Sequence, residues 1–134
     1  TENKKLDLKD FLGFGWEEDK KNQIIMNGYK STLFLNFDMK NCEINKKVVL
    51  RFQKYFNQLK DPINLKVLLN EIFYEDIRIT NNLDYEIDIS KICKNNNLYK
   101  IDMIVDNPKS LFDLNISLNR KKRSIILNEI EIVR

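Results

Sequence analysis

The fold class depends on how one run of residues is interpreted: Asn64-Leu65-Lys66-Val67-Leu68-Leu69-Asn70-Glu71-Ile72-Phe73-Tyr74-Glu75-Asp76-Ile77-Arg78-Ile79. Its second half is a β-branched and aromatic run, which favours a strand. Between the halves, Asn70 tolerates the left-handed conformation that a two-residue hairpin turn requires. A helix is the alternative, because four apolar residues recur at helical spacing: Leu65, Leu68, Leu69 and Ile72. Pro62 just upstream weighs against that helix, so we predict two strands joined by a tight turn.

Alternation of apolar and polar residues predicts further short strands on both sides of this hairpin. The segments are 22–26, 31–38, 47–55, 84–89, 98–105 and 124–133. Asn27-Gly28 is a strong turn dipeptide and predicts that the first two of these form a hairpin. The segment 47–55 is interpreted as an edge strand or an inner sandwich strand. About eight strands without a long helix indicate an all-β fold, an antiparallel, jelly-roll-like β-sandwich.

Alternation also predicts which side chains face inward. Leu33, Leu35 and Phe37 share one face of their strand, and Tyr85, Ile87 and Ile89 share one face of another. In the last strand, strict alternation places Ile126, Asn128, Ile130 and Ile132 on one side. The side opposite carries Ile125, Leu127, Glu129, Glu131 and Val133.

Length and charge place the chain among single-domain folded proteins. We expect residues 1–134 to form one domain, and a start at Thr1 suggests a domain excised from a longer protein. Neither a signal peptide nor a membrane span is present in the sequence, so we expect a cytoplasmic protein. A net charge of +3 is too small to indicate a nucleic-acid partner. Residues 1–5 and 94–97 are predicted to be mobile.

Composition also limits the chemistry. The chain has no His, which removes the commonest general base and metal ligand. Its two cysteines, Cys42 and Cys93, are too few for a zinc site built from Cys alone, although a single disulfide between them stays open. No pair of nucleophile and base is evident. We therefore expect a protein that is not an enzyme and has no cofactor.

Several short motifs follow one another in an order that resembles a known family. They are Leu12-Gly13-Phe14-Gly15-Trp16-Glu17-Glu18, Asn27-Gly28-Tyr29, Val67-Leu68-Leu69-Asn70-Glu71, Tyr85-Glu86-Ile87, Val105-Asp106-Asn107-Pro108, Ile116-Ser117-Leu118-Asn119-Arg120-Lys121 and the closing 125–132. This order resembles the small β-sandwich accessory domain of bacterial surface-polysaccharide proteins, which is commonly appended to glycosyltransferases. The resemblance implies a non-catalytic, carbohydrate-binding-like module of glycan assembly, with a parent catalytic domain as a partner. The alternative is a module that packs on a parent enzyme or another protein and binds no sugar.

Five residues are candidate ligand contacts: Trp16, Glu18, Tyr29, Asn119 and Lys121. Aromatic rings stack on the apolar face of sugars, so Trp16 and Tyr29 are the candidate platform. A lone Trp in a small β domain is usually buried, however, which favours Trp16 as a plug at one end of the sandwich. Asn119 and Lys121 stand where the family has an Asp/Arg pair, a change that weakens a ligand role carried over to them. The acidic cluster 17–19 offers oxygen ligands for hydroxyls or Ca²⁺, and is otherwise a solvated loop. The basic run 120–123 is predicted to be a solvated loop, and the alternative is a contact for phosphate, an anionic sugar or a membrane surface.

Overall fold

The computed structural model describes residues 4–36, 47–88 and 98–133. Within these ranges lie ten strands and one short 3₁₀ helix, Leu8–Asp10. The strands are β1 (Lys4–Leu6), β2 (Trp16–Glu18), β3 (Ile24–Asn27), β4 (Lys30–Asn36), β5 (Lys47–Lys54), β6 (Ile63–Leu69), β7 (Ile72–Ile79), β8 (Asn82–Asp88), β9 (Leu98–Val105) and β10 (Arg123–Val133). None of the helices in this described part of the chain has the length and apolar character needed to cross a membrane.

The strands form two antiparallel sheets, as the sequence predicted. One sheet has the order β2-β3-β10-β5-β8, and β1 adds to it by pairing with β10. The other has the order β4-β9-β6-β7 and is called the four-stranded sheet below. The inner faces of the two sheets meet in one apolar core, whose burial is the main favourable contribution to folding. Strand β5 lies between β10 and β8, so the sandwich interpretation of 47–55 was right and the edge interpretation was wrong.

The hairpin predicted for 64–79 is confirmed. Strands β6 and β7 pair in antiparallel register and are joined by Asn70 and Glu71, whose φ angles are 48° and 71°. Two successive positive φ angles define a type I′ turn, the two-residue turn that matches the twist of the strands. A bulge between Val67 and Leu68 shifts the later register, so that Val67 pairs with Glu75 and not with Tyr74.

The hairpin predicted for 22–38 is wrong. Strand β3 belongs to the larger sheet and β4 to the four-stranded sheet, so Asn27-Gly28 carries the chain from one sheet to the other. Gly28 has a φ of 83°, as expected of a turn glycine, but the turn connects strands of two different sheets. The prediction that residues 1–5 are mobile is also wrong in part, because Lys4 and Lys5 pair with Ile132 and Glu131.

The last strand is confirmed, but its alternation is not strict. A second bulge lies between Leu127 and Glu129, which pair with the neighbouring residues Phe52 and Arg51 of β5. Asn128 is the extra residue, and it reverses which side chains face inward. Ile125, Leu127 and Ile130 therefore all join the core, contrary to the predicted split.

Inward-facing predictions elsewhere are confirmed where the structure describes them. Leu33 and Leu35 are fully buried, and Tyr85 and Ile87 belong to the same core. Phe37, Ile89, Cys42, Cys93 and the predicted loop 94–97 lie outside the described residues.

Candidate functional site

A concavity lies at one end of the outer face of the four-stranded sheet. Its volume is about 760 Å³, and it is formed where β4 begins and where β7 and β9 end. Its lining residues are Tyr29, Asn64, Leu65, Lys66, Asp76, Ile77, Arg78, Ile104, Val105 and Asp106. We call it the Tyr29 cleft.

Strand pairing places the polar side chains of the cleft on one face. Asn64 pairs with Arg78, and two residues further along Lys66 pairs with Asp76. Residues two apart on a strand, and their cross-strand partners, point to the same side of the sheet. Leu65 and Val67, which alternate with Asn64 and Lys66, are buried in the core. The four polar side chains therefore line the outer face together.

Tyr29 supplies the aromatic wall of the cleft. It lies in the short connection between β3 and β4, and its carbonyl oxygen accepts a 2.8 Å hydrogen bond from the amide of Val105. This bond fixes the backbone of Tyr29 beside the end of β9. The side chain is 64% exposed, so its ring is available for contact with a ligand. The sequence analysis proposed Tyr29 for this role, and the structure places it in a cleft with polar groups on its walls.

The charges of the cleft are balanced. Lys66 and Arg78 are cations, and Asp76 and Asp106 are anions. Such a set donates and accepts hydrogen bonds without attracting ions of one sign. An aromatic ring with a few convergent polar groups is a common composition of small-ligand sites.

The outer face continues beyond the cleft. Phe34 of β4 pairs with Lys100 of β9, and Phe73 of β7 pairs with Leu68 of β6. Phe34 is 38% exposed and Phe73 is 55% exposed. The face therefore carries further aromatic rings along the direction of the strands.

A buried carboxylate lies in the middle of the same sheet. Asp102 is 2% exposed and accepts a 2.7 Å hydrogen bond from Thr32 Oγ1. Lys100, two residues earlier on β9, has its Nζ 3.6 Å from Asp102 Oδ2 and compensates the charge. The pKa of Lys100 is raised, chiefly by its hydrogen bond with Glu71 and also by the charge of Asp102.

Trp16 occupies a different place from Tyr29. Its indole packs against the core, and Nε1 donates a 3.0 Å hydrogen bond to the carbonyl of Thr32. Since β2 and β4 belong to different sheets, this bond ties the two layers together at one end of the sandwich. Trp16 is not among the residues of the Tyr29 cleft. This geometry agrees with the alternative interpretation of Trp16 as a plug of the sandwich. A ligand role for Trp16 stays a prediction.

The prediction of a solvated loop for 17–19 is wrong in part, because Glu17 and Glu18 belong to β2 and Glu17 is shielded from water. Glu17 is only 17% exposed, and Arg123 Nε donates a 2.7 Å hydrogen bond to its Oε1. Lys121 Nζ contacts the other carboxylate oxygen, and Arg123 also donates to Tyr55. Burial favours the neutral form of Glu17, but the hydrogen bonds from Lys121 and Arg123 outweigh it and lower its pKa.

Glu18 and Asp19, the other carboxylates of the cluster, have partners different from those of Glu17. Glu18 is exposed and pairs with Lys9 at 3.5 Å. Asp19 Oδ1 accepts from the amides of Lys21 and Gln23, so it caps a turn. These carboxylates do not converge, and the part of the chain that the structure describes contains no group of three or more His, Cys, Asp or Glu suited to a metal ion.

Asn119 and Lys121 lie together, but away from the cleft. Asn119 Oδ1 accepts a 2.9 Å hydrogen bond from the amide of Lys121, and both residues are exposed. Neither lines the Tyr29 cleft. Lys121 is thus joined to β2 through Glu17. Tyr29 lies elsewhere, in a cleft lined by residues that the sequence analysis did not select.

The missed residues of the cleft are Asn64, Lys66, Asp76, Arg78, Ile104 and Asp106. The alternation of polar residues at 64 and 66 was a usable signal for an outward face. The partners at 76 and 78 depend on the bulge in the β6–β7 pair, which the sequence does not reveal.

Comparison with known proteins identifies the fold. No protein-family model and no curated protein matches this sequence. Among solved structures, the chain is similar to the CBM36-1 domain of a multidomain xylanase from the hindgut metagenome of Trinervitermes trinervoides. The TM-score is 0.58 at 6% identity, covering 99% of this chain and 98% of that chain.

Two further solved structures give the same result. A carbohydrate-binding module CBM36 in complex with calcium and xylotriose has a TM-score of 0.55 at 7% identity, covering 97% of this chain and 99% of that chain. The C-terminal CBM6 of LamC from Zobellia galactanivorans has a TM-score of 0.51 at 11% identity, covering 99% and 100%. The protein therefore has the β-sandwich fold of carbohydrate-binding modules. These similarities concern the fold and do not support the association with a glycosyltransferase that the motif resemblance implies.

Proposed function

We propose that this protein is a non-catalytic carbohydrate-binding module that holds its glycan in the Tyr29 cleft. The observation that carries the proposal is the exposed Tyr29 ring in a concavity walled by Asn64, Lys66, Asp76 and Arg78. A packing module would instead present a flat apolar patch at this position. The shared fold with solved carbohydrate-binding modules supports the same function.

The chemistry of the cleft favours a neutral glycan. The sugar ring stacks its C–H face on Tyr29, while its hydroxyls bond to the amide, carboxylate, ammonium and guanidinium groups. Because the cleft has two cations and two anions, an anionic sugar gains no net attraction. The exposed aromatic rings further along the face suit a chain of several sugars rather than a single one.

We further propose that the module serves a glycan-assembly enzyme in the cytoplasm, as an accessory to a glycosyltransferase. The association with a glycosyltransferase rests on the motif resemblance alone. The full sequence of the natural gene tests this association directly, and a glycosyltransferase domain in the same chain would support it. A domain of another enzyme class would overturn it and leave the binding proposal intact.

Binding is tested by isothermal titration calorimetry of the chain with a panel of neutral and anionic oligosaccharides, including xylotriose. We expect a neutral oligosaccharide to bind, and Tyr29→Ala to weaken that binding by about tenfold or more. Tyr29→Phe keeps the ring and is expected to retain most of the affinity. Phe112→Ala is the control, because this exposed aromatic lies outside the cleft.

Two results would overturn the proposal. One is that no glycan of the panel binds the folded chain. The other is that a glycan binds equally well to Tyr29→Ala, which would place the site elsewhere.

A further inference from the structure

An ordered loop exposes several apolar side chains between β9 and β10. Leu118 is 86% exposed, Ile116 is 56% exposed and Phe112 is 38% exposed. Three large apolar residues within seven positions exceed the isolated exposed residues that most surfaces carry. We call residues 111–119 the apolar loop.

The loop is held in shape by its own hydrogen bonds. The amide of Phe112 donates to the carbonyl of Asn119 at 2.9 Å, and the amide of Ile116 donates to Leu111 at 3.0 Å. At its base, Asp113 accepts from both the amide and the hydroxyl of Ser110. The exposed apolar side chains are thus presented by a defined turn.

Positive charge surrounds the base of the loop. The segment 109–123 contains five Lys and Arg residues and one Asp, so it carries more net positive charge than the whole chain's +3. The guanidinium of Arg120 lies over the Phe112 ring, 4.1 Å from its centroid. The apolar and cationic groups are therefore contiguous.

One ion pair fixes part of this charge to the loop. Lys122 Nζ lies 2.6 Å from Asp113 Oδ2. The hydrogen bonds from Lys122 and Ser110 lower the pKa of Asp113 to about 2. Lys121 is likewise bound to Glu17 of β2, so the basic segment is anchored to the sandwich.

We propose that the apolar loop inserts into the surface of an anionic lipid bilayer while the exposed cations Arg120, Lys121 and Lys122 contact lipid headgroups. Exposed apolar side chains beside Lys and Arg are the two features that interfacial membrane binding requires. An anionic polysaccharide would satisfy the charges but offers no apolar interior for Ile116 and Leu118. This surface is separate from the Tyr29 cleft, so the two proposals stand independently.

Co-sedimentation with vesicles tests the proposal. We expect the chain to bind vesicles of phosphatidylglycerol and phosphatidylcholine in equal parts, and to bind vesicles of phosphatidylcholine alone far more weakly. Added salt should weaken the binding by screening the headgroup charge. The double variant Ile116→Ser/Leu118→Ser should lose about tenfold or more of the affinity, because the apolar contribution is removed.

Ile72→Ser is the matched control. Ile72 is 72% exposed at the β6–β7 turn, so the substitution removes a comparable apolar side chain outside the loop. It should leave vesicle binding unchanged. Circular dichroism melts of all variants establish that each is folded.

Several results would overturn the proposal. They are no binding to either vesicle, equal binding by the double variant and the wild type, and binding to a soluble anionic polysaccharide in place of vesicles. A dimer in sedimentation equilibrium that the double variant abolishes would show that a second copy of the chain covers the loop instead.

Discussion

The ion pair between Glu17 and Arg123 gives the sharpest test of how the edge strand β2 is joined to β10 across β3. Glu17 is 17% exposed and Arg123 is 20% exposed, so the pair is shielded from water on both sides. Glu17→Gln keeps the shape of the side chain and removes its charge. The amide that replaces the carboxylate can still accept a hydrogen bond from Arg123, but it no longer compensates the charges of Arg123 and Lys121.

The expected loss follows from the strength of hydrogen bonds to charged groups. We expect Glu17→Gln to lower the free energy of unfolding by about 2 kcal/mol at neutral pH. With an m-value of about 2 kcal/mol/M for a chain of this size, the urea midpoint should fall by about 1 M. Trp16, the neighbouring residue, is the only Trp and supplies the fluorescence signal.

Glu18→Gln is the control for this measurement. Glu18 is the next residue, and its 3.5 Å pair with Lys9 is more exposed, at 33% and 66%. An exposed pair of this kind contributes little, so we expect a change below about 0.5 kcal/mol. Equal effects of the two substitutions would refute the role assigned to the shielded pair.

The same pair predicts a pH dependence. The pKa of Glu17 in the folded protein is lowered from 4.5, so the folded state releases this proton more readily than the unfolded state. Its contribution to stability is therefore complete above pH 4.5 and is lost as the pH falls through the lower folded value. The gap between wild type and Glu17→Gln should close on acidification. A gap of constant size would show that ionisation of Glu17 is not its cause.

Two further substitutions probe the frame of the sandwich. Lys54 is 3% exposed, and its ammonium donates to the carbonyls of Leu59 and Asp61. Lys54→Met should therefore lower the free energy of unfolding in urea by about 1–3 kcal/mol. An unchanged free energy of unfolding would contradict the role of the ammonium in holding the loop. Gly15 and Gly28 have φ angles of 86° and 83°, but only at Gly15 would an added Cβ collide with the β4 backbone. Gly15→Ala should therefore lower the melting temperature more than Gly28→Ala, and the reverse order would contradict the close approach.

Much of the sandwich could be predicted because its strands follow local rules. The pair β6–β7 shows this well: Asn70 and Glu71 adopt the positive φ angles of a two-residue turn, as Asn at this position indicates. Alternation likewise predicted that Leu33 and Leu35 face the core. These features depend on residues that are close in sequence.

The errors arise where distant strands decide the outcome. The bulge at Asn128 reverses the alternation of β10 because β10 has one residue more than β5 at this point of the pair, and no local signal marks it. Asn27-Gly28 has the composition of a hairpin turn, yet the following strand joins the other sheet. Local composition specifies a turn but not which sheet receives the next strand.

The site was predictable only in part for the same reason. Tyr29 stood out because it follows a turn dipeptide and is aromatic. Its neighbours Lys66, Asp76 and Arg78 reach the cleft through the shifted register of β6 and β7. Trp16 was selected on residue type alone, although its indole serves to join the two sheets. Residue type identifies what a site needs, whereas register decides which residues supply it.

The most direct test of the central claim is to map where a glycan contacts the protein. Two-dimensional NMR of the isotope-labelled chain, titrated with the oligosaccharide that calorimetry selects, reports this residue by residue. The account predicts that the largest changes in chemical shift occur at four residues of the cleft: Tyr29, Lys66, Arg78 and Ile104. Shift changes centred on Trp16 and Lys121, or none with any glycan, would contradict it.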